Sequence, residues 1–168
     1  MQEIAAISGA LSRRLVDSLY VEVLVLADEA RAYFDEAATA DREALDPMMR
    51  VSFSCESLKV TTRLMHVIAW LLTHRACHRG EIRAVELVEH RHRLGDAATS
   101  DPATIATFPF AAQKLIEASQ DIYARVARLE GRMLGQLIEE PLPISHAQER
   151  VDADGPARAL ISRLESAF

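Results

Sequence analysis

Apolar residues recur along this chain at alternating steps of three and four, the spacing that holds one stripe on one face of an α-helix. The densest instance runs through Glu56–Ala76, where Leu58, Met65, Ala69, Leu72 and Ala76 form one row, with Val51 and Cys55 extending it backwards. A second row, Val60, Leu64, Val67 and Leu71, lies beside it. From Leu64 to Leu72 the helix is apolar almost all round, His66 excepted, and such a helix must be covered on more than one side. One stripe belongs inside a bundle, and the other needs further helices or a second subunit. Leu64, Met65, Ile68, Trp70 and Leu71 are accordingly read as core or dimer seam.

The same pattern places the other elements. Val16, Leu19, Val23, Leu26, Ala30 and Tyr33 give a heptad-like seam, predicting a first helix over Arg13–Ala38 with Ser12 as its cap. Residues 1–11 read as frayed or weakly helical, and Thr39–Asp46 as a connection. Asp46-Pro47 is a strong start signal, a capping acid before a proline at the first helical position. The second helix then runs to about Arg79, where Gly80 can stop it. Glu81–Leu94 reads as a shorter, polar helix with Ile82, Val85, Leu87 and Val88 to bury, and Gly95–Pro109 as the main loop. Ala112, Leu115, Ser119, Ile122, Val126, Leu129, Met133 and Leu137 mark the last long helix. Pro141 and Pro143 end it near Glu140. The expectation is an all-α fold: an antiparallel bundle of three long helices over residues 1–140, one short extra helix, and a tail over 141–168. Within that tail Leu160, Ile161, Leu164 and Phe168 share one face of a possible short amphipathic helix, marginal unless it docks.

Composition agrees with this and removes some functions. The chain has 168 residues, six glycines and six prolines, enough length for one domain with a real core. A net charge of −6 with dispersed arginines disfavours nucleic acid as the main partner. No apolar run approaches the roughly 20 residues that span a bilayer, and no signal pattern opens the chain. Cys55 and Cys77 fall on one predicted helix, about 33 Å apart along its axis, and cannot pair within a straight helix. Free thiols fit a cytoplasmic protein.

Candidate chemistry is thin. His74, Cys77 and His78 share a helix face, and a His-x-x-x-His pair can ligate zinc or nickel. The zinc-protease pattern needs Glu after the first His, where this chain has Arg75, and Arg75 and Arg79 crowd the cluster with positive charge. His90 and His92 face different directions. His66 stands where a helical phosphotransfer domain carries its phosphorylated histidine, although Val-Ile-Ala-Trp follows it instead of the usual Lys-Gly. Glu56, Lys59 and Arg63 share a face, as a surface ion-pair ladder or a charged patch for a protein partner. No catalytic triad or phosphate loop is present, so no enzyme, cofactor or metal is expected.

Glu-Ser-Leu-Lys-Val-Thr-Thr-Arg-Leu-Met, then Ala-Trp-Leu-Leu, His-Arg-Ala and Gly80-Glu81-Ile82, resembles one small alphaproteobacterial family, typified by the regulator of CtrA degradation. Ile122-Tyr-Ala-Arg-Val-Ala-Arg-Leu129 is similar to that family's last long helix, and Ala30-Arg-Ala-Tyr-Phe-Asp35 echoes the end of its first. The resemblance implies a homodimeric, non-catalytic adaptor in cell-cycle control. Such an adaptor tethers substrates or a response-regulator partner to the protease ClpXP. It also favours Glu56, Lys59, Arg63 and Arg75 as partner-binding residues, because they lie in or beside the matching block. The histidine cluster and a tail ending Ser-Ala-Phe depart from the typical member. Two other readings stand beside it: a histidine phosphotransfer-like signalling bundle and a metal-binding helical protein.

Overall fold

The computed structural model describes residues 2–139, so the expected tail lies outside the described residues. Three long helices dominate: α1 (Gln2–Ala32), α3 (Pro47–His78) and α5 (Phe110–Glu139). Two short ones, α2 (Thr39–Ala44) and α4 (Pro102–Ile105), sit in the connections. No strand occurs among the described residues, and the all-α class holds. None of these helices is long and apolar enough to cross a membrane.

The local signals account for most helix ends. At the start of α3 the Asp46 carboxylate accepts the Met49 amide at 3.0 Å, with Pro47 in the first turn. At its end Gly80 takes φ 78°. The Glu81 amide then reaches the Ala76 carbonyl and the Gly80 amide the Cys77 carbonyl, the paired closing bonds of a Schellman motif. The first helix begins earlier than its seam predicts, at Gln2, and closes in a π-turn over Tyr33–Ala37. The connection after it forms α2, where the Tyr33 hydroxyl donates to Asp41 at 2.7 Å. Tyr33, Phe34, Phe53 and Phe108 meet edge to face with centroids 5.1–5.5 Å apart. This aromatic row joins the end of α1, the start of α3 and the entry to α5.

The core takes most of the α1 and α5 seams and one of the two α3 rows, with Ile116 buried where the α5 seam named Leu115. Val16, Leu19 and Val23 of α1 pack with Val60, Leu64, Val67 and Leu71 of α3 and with Ile116, Ile122 and Val126 of α5. Helix direction is where the arrangement departs from expectation. Asp17 pairs with Arg75 while Phe34 meets Phe53, so α1 runs antiparallel to α3. Glu22 pairs with Arg125, so α1 and α5 are antiparallel as well. Arg63 bonds Ser119 and Trp70 bonds Glu130, which makes α3 and α5 parallel to each other.

Two parallel neighbours require the chain between them to return along their length. Residues 79–109 do this as a strap, with Gly95 against His66 and Ser100 against Glu56. Those anchors span ten residues of α3, about 15 Å at the helical rise, in five strap residues. At about 3 Å per residue this part must be extended. The earlier part, expected as a polar helix over Glu81–Leu94, forms instead two 3₁₀ turns at Ala84–Val88 and His90–His92. Only Leu87 of its apolar residues is buried, and Val85 and Val88 stay exposed. One anchor gives a solitary helix too little packing to hold it.

Candidate functional site

Along the edge of α3 that meets the strap, the charged residues point inward. Glu56 is 3% exposed and Arg63 is 2% exposed. The Arg63 guanidinium donates to the Ala98 carbonyl at 2.7 Å, to Ser100 Oγ at 2.5 Å and to Ser119 Oγ at 3.2 Å. Ser100 in turn donates to Glu56. Lys59 bridges Glu56 at 2.7 Å and the Thr99 carbonyl at 3.1 Å. The expected exposed ladder of Glu56, Lys59 and Arg63 is thus a buried network that holds the strap, because an extended segment laid on a bundle needs donors and acceptors for its backbone. Burial draws the Arg63 guanidinium below its ordinary value, and the Glu56 charge opposes that shift.

A second set of anchors, on residues that sequence periodicity marks only as seam neighbours, lies further along the strap. Glu130 accepts both the Leu94 amide at 2.7 Å and the Trp70 indole at 3.1 Å. Tyr123 donates to the Gly95 carbonyl at 2.8 Å. Gly95 lies flat on His66, and a Cβ there would come within 2.8 Å of the ring. The His66 Nδ1 is buried under the strap without a protein partner, while the residue as a whole is half-buried.

The remaining histidines separate onto different neighbours. His74 is buried and stacks on Trp70 at 3.8 Å between centroids. Desolvation, with His78 nearby, lowers its pKa to about 4. His78 is half-buried, and Arg13 of α1 reaches its carbonyl at 3.5 Å. Burial and Arg13 lower His78 too, while burial raises the half-buried Cys77 thiol. His90 lies exposed on the strap and His92 half-buried. No three His, Cys, Asp or Glu side chains among the described residues converge on a point where a metal would sit. Arg75, the fourth charged candidate, ties α3 to α1: it pairs with Asp17 at 2.9 Å and lies 4.3 Å over the Tyr20 ring.

The two apolar rows of α3 have opposite fates. Val60, Leu64, Val67 and Leu71 are core, and Trp70 joins them. The other row faces outward, with Met48 73%, Leu58 66% and Met65 60% exposed and Val51 and Leu72 beside them. Of the five seam residues, Leu64, Trp70 and Leu71 are therefore core, Ile68 is half-buried and Met65 lies on the outer face. Exposed Val21 and Leu24 of α1 lie on the same side, because the Asp17–Arg75 pair sets them alongside Ile68 and Leu71.

A family model described as "Protein of unknown function (DUF1465)" matches residues 7–168 of this chain. No curated protein matches it. Among solved structures, the crystal structure of RcdA from Caulobacter crescentus CB15 is similar, at 31% sequence identity and a TM-score of 0.56. That match covers 71% of this chain and 90% of the RcdA chain.

Two outcomes follow from the buried groups. Arg63→Met leaves the Ala98 carbonyl and the Ser100 and Ser119 hydroxyls without their guanidinium donor, and should cost about 3 kcal/mol in urea unfolding, the scale of hydrogen bonds to a buried charged group. Hydrogen exchange should quicken most at the strap amides of residues 94–101. His74 with its pKa near 4 makes the unfolded chain bind the extra proton between pH 6.5 and 4. The penalty for keeping it neutral is absent above pH 6.5 and grows as pH falls to 4, about 3 kcal/mol in all. Unfolding free energies measured across that window should have a shallower slope in His74→Phe.

Proposed function

This chain belongs to the DUF1465, RcdA-like family, and from that membership we propose that it is a non-catalytic adaptor of regulated proteolysis. It works in the cytoplasm, tethering substrates or a response-regulator partner to the ClpXP protease during the cell cycle. The observation that carries this reading is the likeness to RcdA over nearly the whole of that protein. The interior agrees with it. Glu56, Lys59 and Arg63 of α3 hold the strap and Arg75 ties α3 to α1, which supports a structural role for these residues. Delivery then works through effective concentration, converting a weak encounter of cargo and protease into a local one.

Of the four charged residues favoured for partner binding, Lys59 and Arg75 retain a partly exposed edge, and both are bonded within the chain. Recognition is therefore assigned to the outer faces. The exposed row of α3 runs from Met48 to Leu72 at heptad spacing, the spacing by which one helix packs along another. We assign this row to a homodimer, with α3 set against the α3 of a second copy.

Light scattering should give twice the mass of the single 18.6 kDa chain. Met65→Glu with Leu72→Glu should return the mass to one chain at unchanged helicity, since both side chains are exposed. A dimer that survives this double charge would move the interface off α3. In a reconstituted ClpXP assay, the wild-type chain should raise the degradation rate of a co-purified cargo. No change in any cargo captured from the native cytosol, at protein concentrations well above the dimer's dissociation constant, would remove the adaptor reading.

A further inference from the structure

On the side where α1 meets α5, a cleft of ≈ 130 Å³ is lined by Leu15, Leu19 and Leu129 and rimmed by Arg125, Arg128 and Arg132. Leu19 and Leu129 are buried and form its floor, while Leu15 is an exposed wall. The volume is room for one aliphatic side chain. The arginines stand at i, i+3 and i+7, so all three line the α5 edge of the cleft. Arg125 is already neutralised, with both guanidinium branches on Glu22 and Asp121 at 3.6 Å. Arg128 and Arg132 are exposed and have no acidic partner within ion-pair distance among the described residues. Arg132 leans back on the Arg128 carbonyl with a long 3.4 Å bond. Unmatched cations beside an apolar cleft run against the trend of a chain whose net charge is −6.

The geometry points to a docking site for an acidic peptide segment of a partner protein. One aliphatic side chain sits on Leu19 and Leu129, and two carboxylates meet Arg128 and Arg132. Side chains four apart on a helix stand about 5–6 Å from each other. A helical partner segment of the pattern Glu-x-x-Leu-Glu matches that spacing: its two acids are four apart on one flank, and its leucine turns toward the floor. Charge complementarity supplies register and encounter, and the leucine supplies the apolar contact. A ligand made of phosphates alone would use the rim and leave the leucine floor wet, so nucleic acid is the poorer fit. The site does not depend on the adaptor reading, because it is measured as binding with no protease present.

The test is fluorescence anisotropy of the full chain with a labelled peptide carrying Glu-Ala-Ala-Leu-Glu. Saturable binding that weakens as salt rises is expected. Arg128→Glu with Arg132→Glu should weaken it about tenfold or more, a loss of roughly 1.4 kcal/mol. The neutral pair Arg128→Gln and Arg132→Gln should fall between, and circular dichroism checks that each variant is folded. Serine in place of the peptide's leucine should weaken binding to a similar degree, and lysines in place of its glutamates should abolish it. Absence of binding to the wild-type chain overturns the proposal, as does equal binding by the charge-reversed variant or equal binding of the lysine peptide. Tighter binding of a single-stranded oligonucleotide, lost in the charge-reversed variant but unaffected by Leu15→Ser, would make the rim a phosphate surface and overturn it as well.

Discussion

The return of the chain between α3 and α5 depends on one guanidinium. Because α3 and α5 are parallel, the chain must return between them, and an extended return segment carries backbone groups that pack poorly with leucine and valine. Arg63 resolves this by reaching from α3 to the strap at Ala98 and Ser100 and to α5 at Ser119. One planar group thereby fixes the relative positions of two helices and the segment that joins them. Burying it beside Glu56 costs desolvation that an ion pair alone does not reliably repay. The additional bonds to Ala98, Ser100 and Ser119 offset that cost, and they confer register as well as stability: a strap shifted by one residue would lose them together.

With the strap in place, the parallel pair needs no other cover on that side. Trp70, His74 and Leu87 fill the far end of the strap, and Glu130 closes it by accepting from both Leu94 and Trp70. At the near end the aromatic row from Tyr33 to Phe108 performs the same office between α1, α3 and α5. The buried polar and aromatic groups named here thus lie at the joints between the helices and the strap. The exposed apolar residues of α3 run as a stripe from Met48 to Leu72, beside exposed Arg50, Ser54, Thr61 and Thr62. A stripe of this kind is suited to pack against protein.

Helix positions were legible in the sequence wherever a local signal governs them. Asp46-Pro47 starts α3 and Gly80 stops it for reasons contained in those residues. The seams named most of the core correctly because a buried stripe has the period of its own helix. Periodicity carries no information about direction, however, and the expected antiparallel order holds for α1 against both neighbours while failing between α3 and α5. Nor could it rank the two apolar rows of α3, since both have the same spacing and composition, and only the presence of α1 and α5 decides which is inside. Glu56 and Arg63 were misplaced for a related reason. A charged pair at helical spacing reads as surface unless the partner that buries it is known, and that partner is a strap more than thirty residues away. Its serines and glycine have no period of their own to announce it.

The arginines of this chain show how the interior and the two outer faces divide the work. Arg63 is committed inside, and Arg75 stitches α1 to α3 through Asp17 and Tyr20. Arg128 and Arg132 have no such internal duty among the described residues, and they border an apolar cleft on the side of α1 away from α3. The aliphatic row of α3 faces outward opposite its own core. A second copy seated on that row would therefore leave the α1–α5 cleft uncovered. The proposed dimerisation and the proposed docking of an acidic segment are chemically different events on different helices, one driven by apolar burial and the other steered by charge. Salt should weaken the second far more than the first. On the proposed reading, a dimer of this kind stays assembled while its hold on an acidic partner stays weak and exchangeable, the behaviour required of a protein that releases what it delivers.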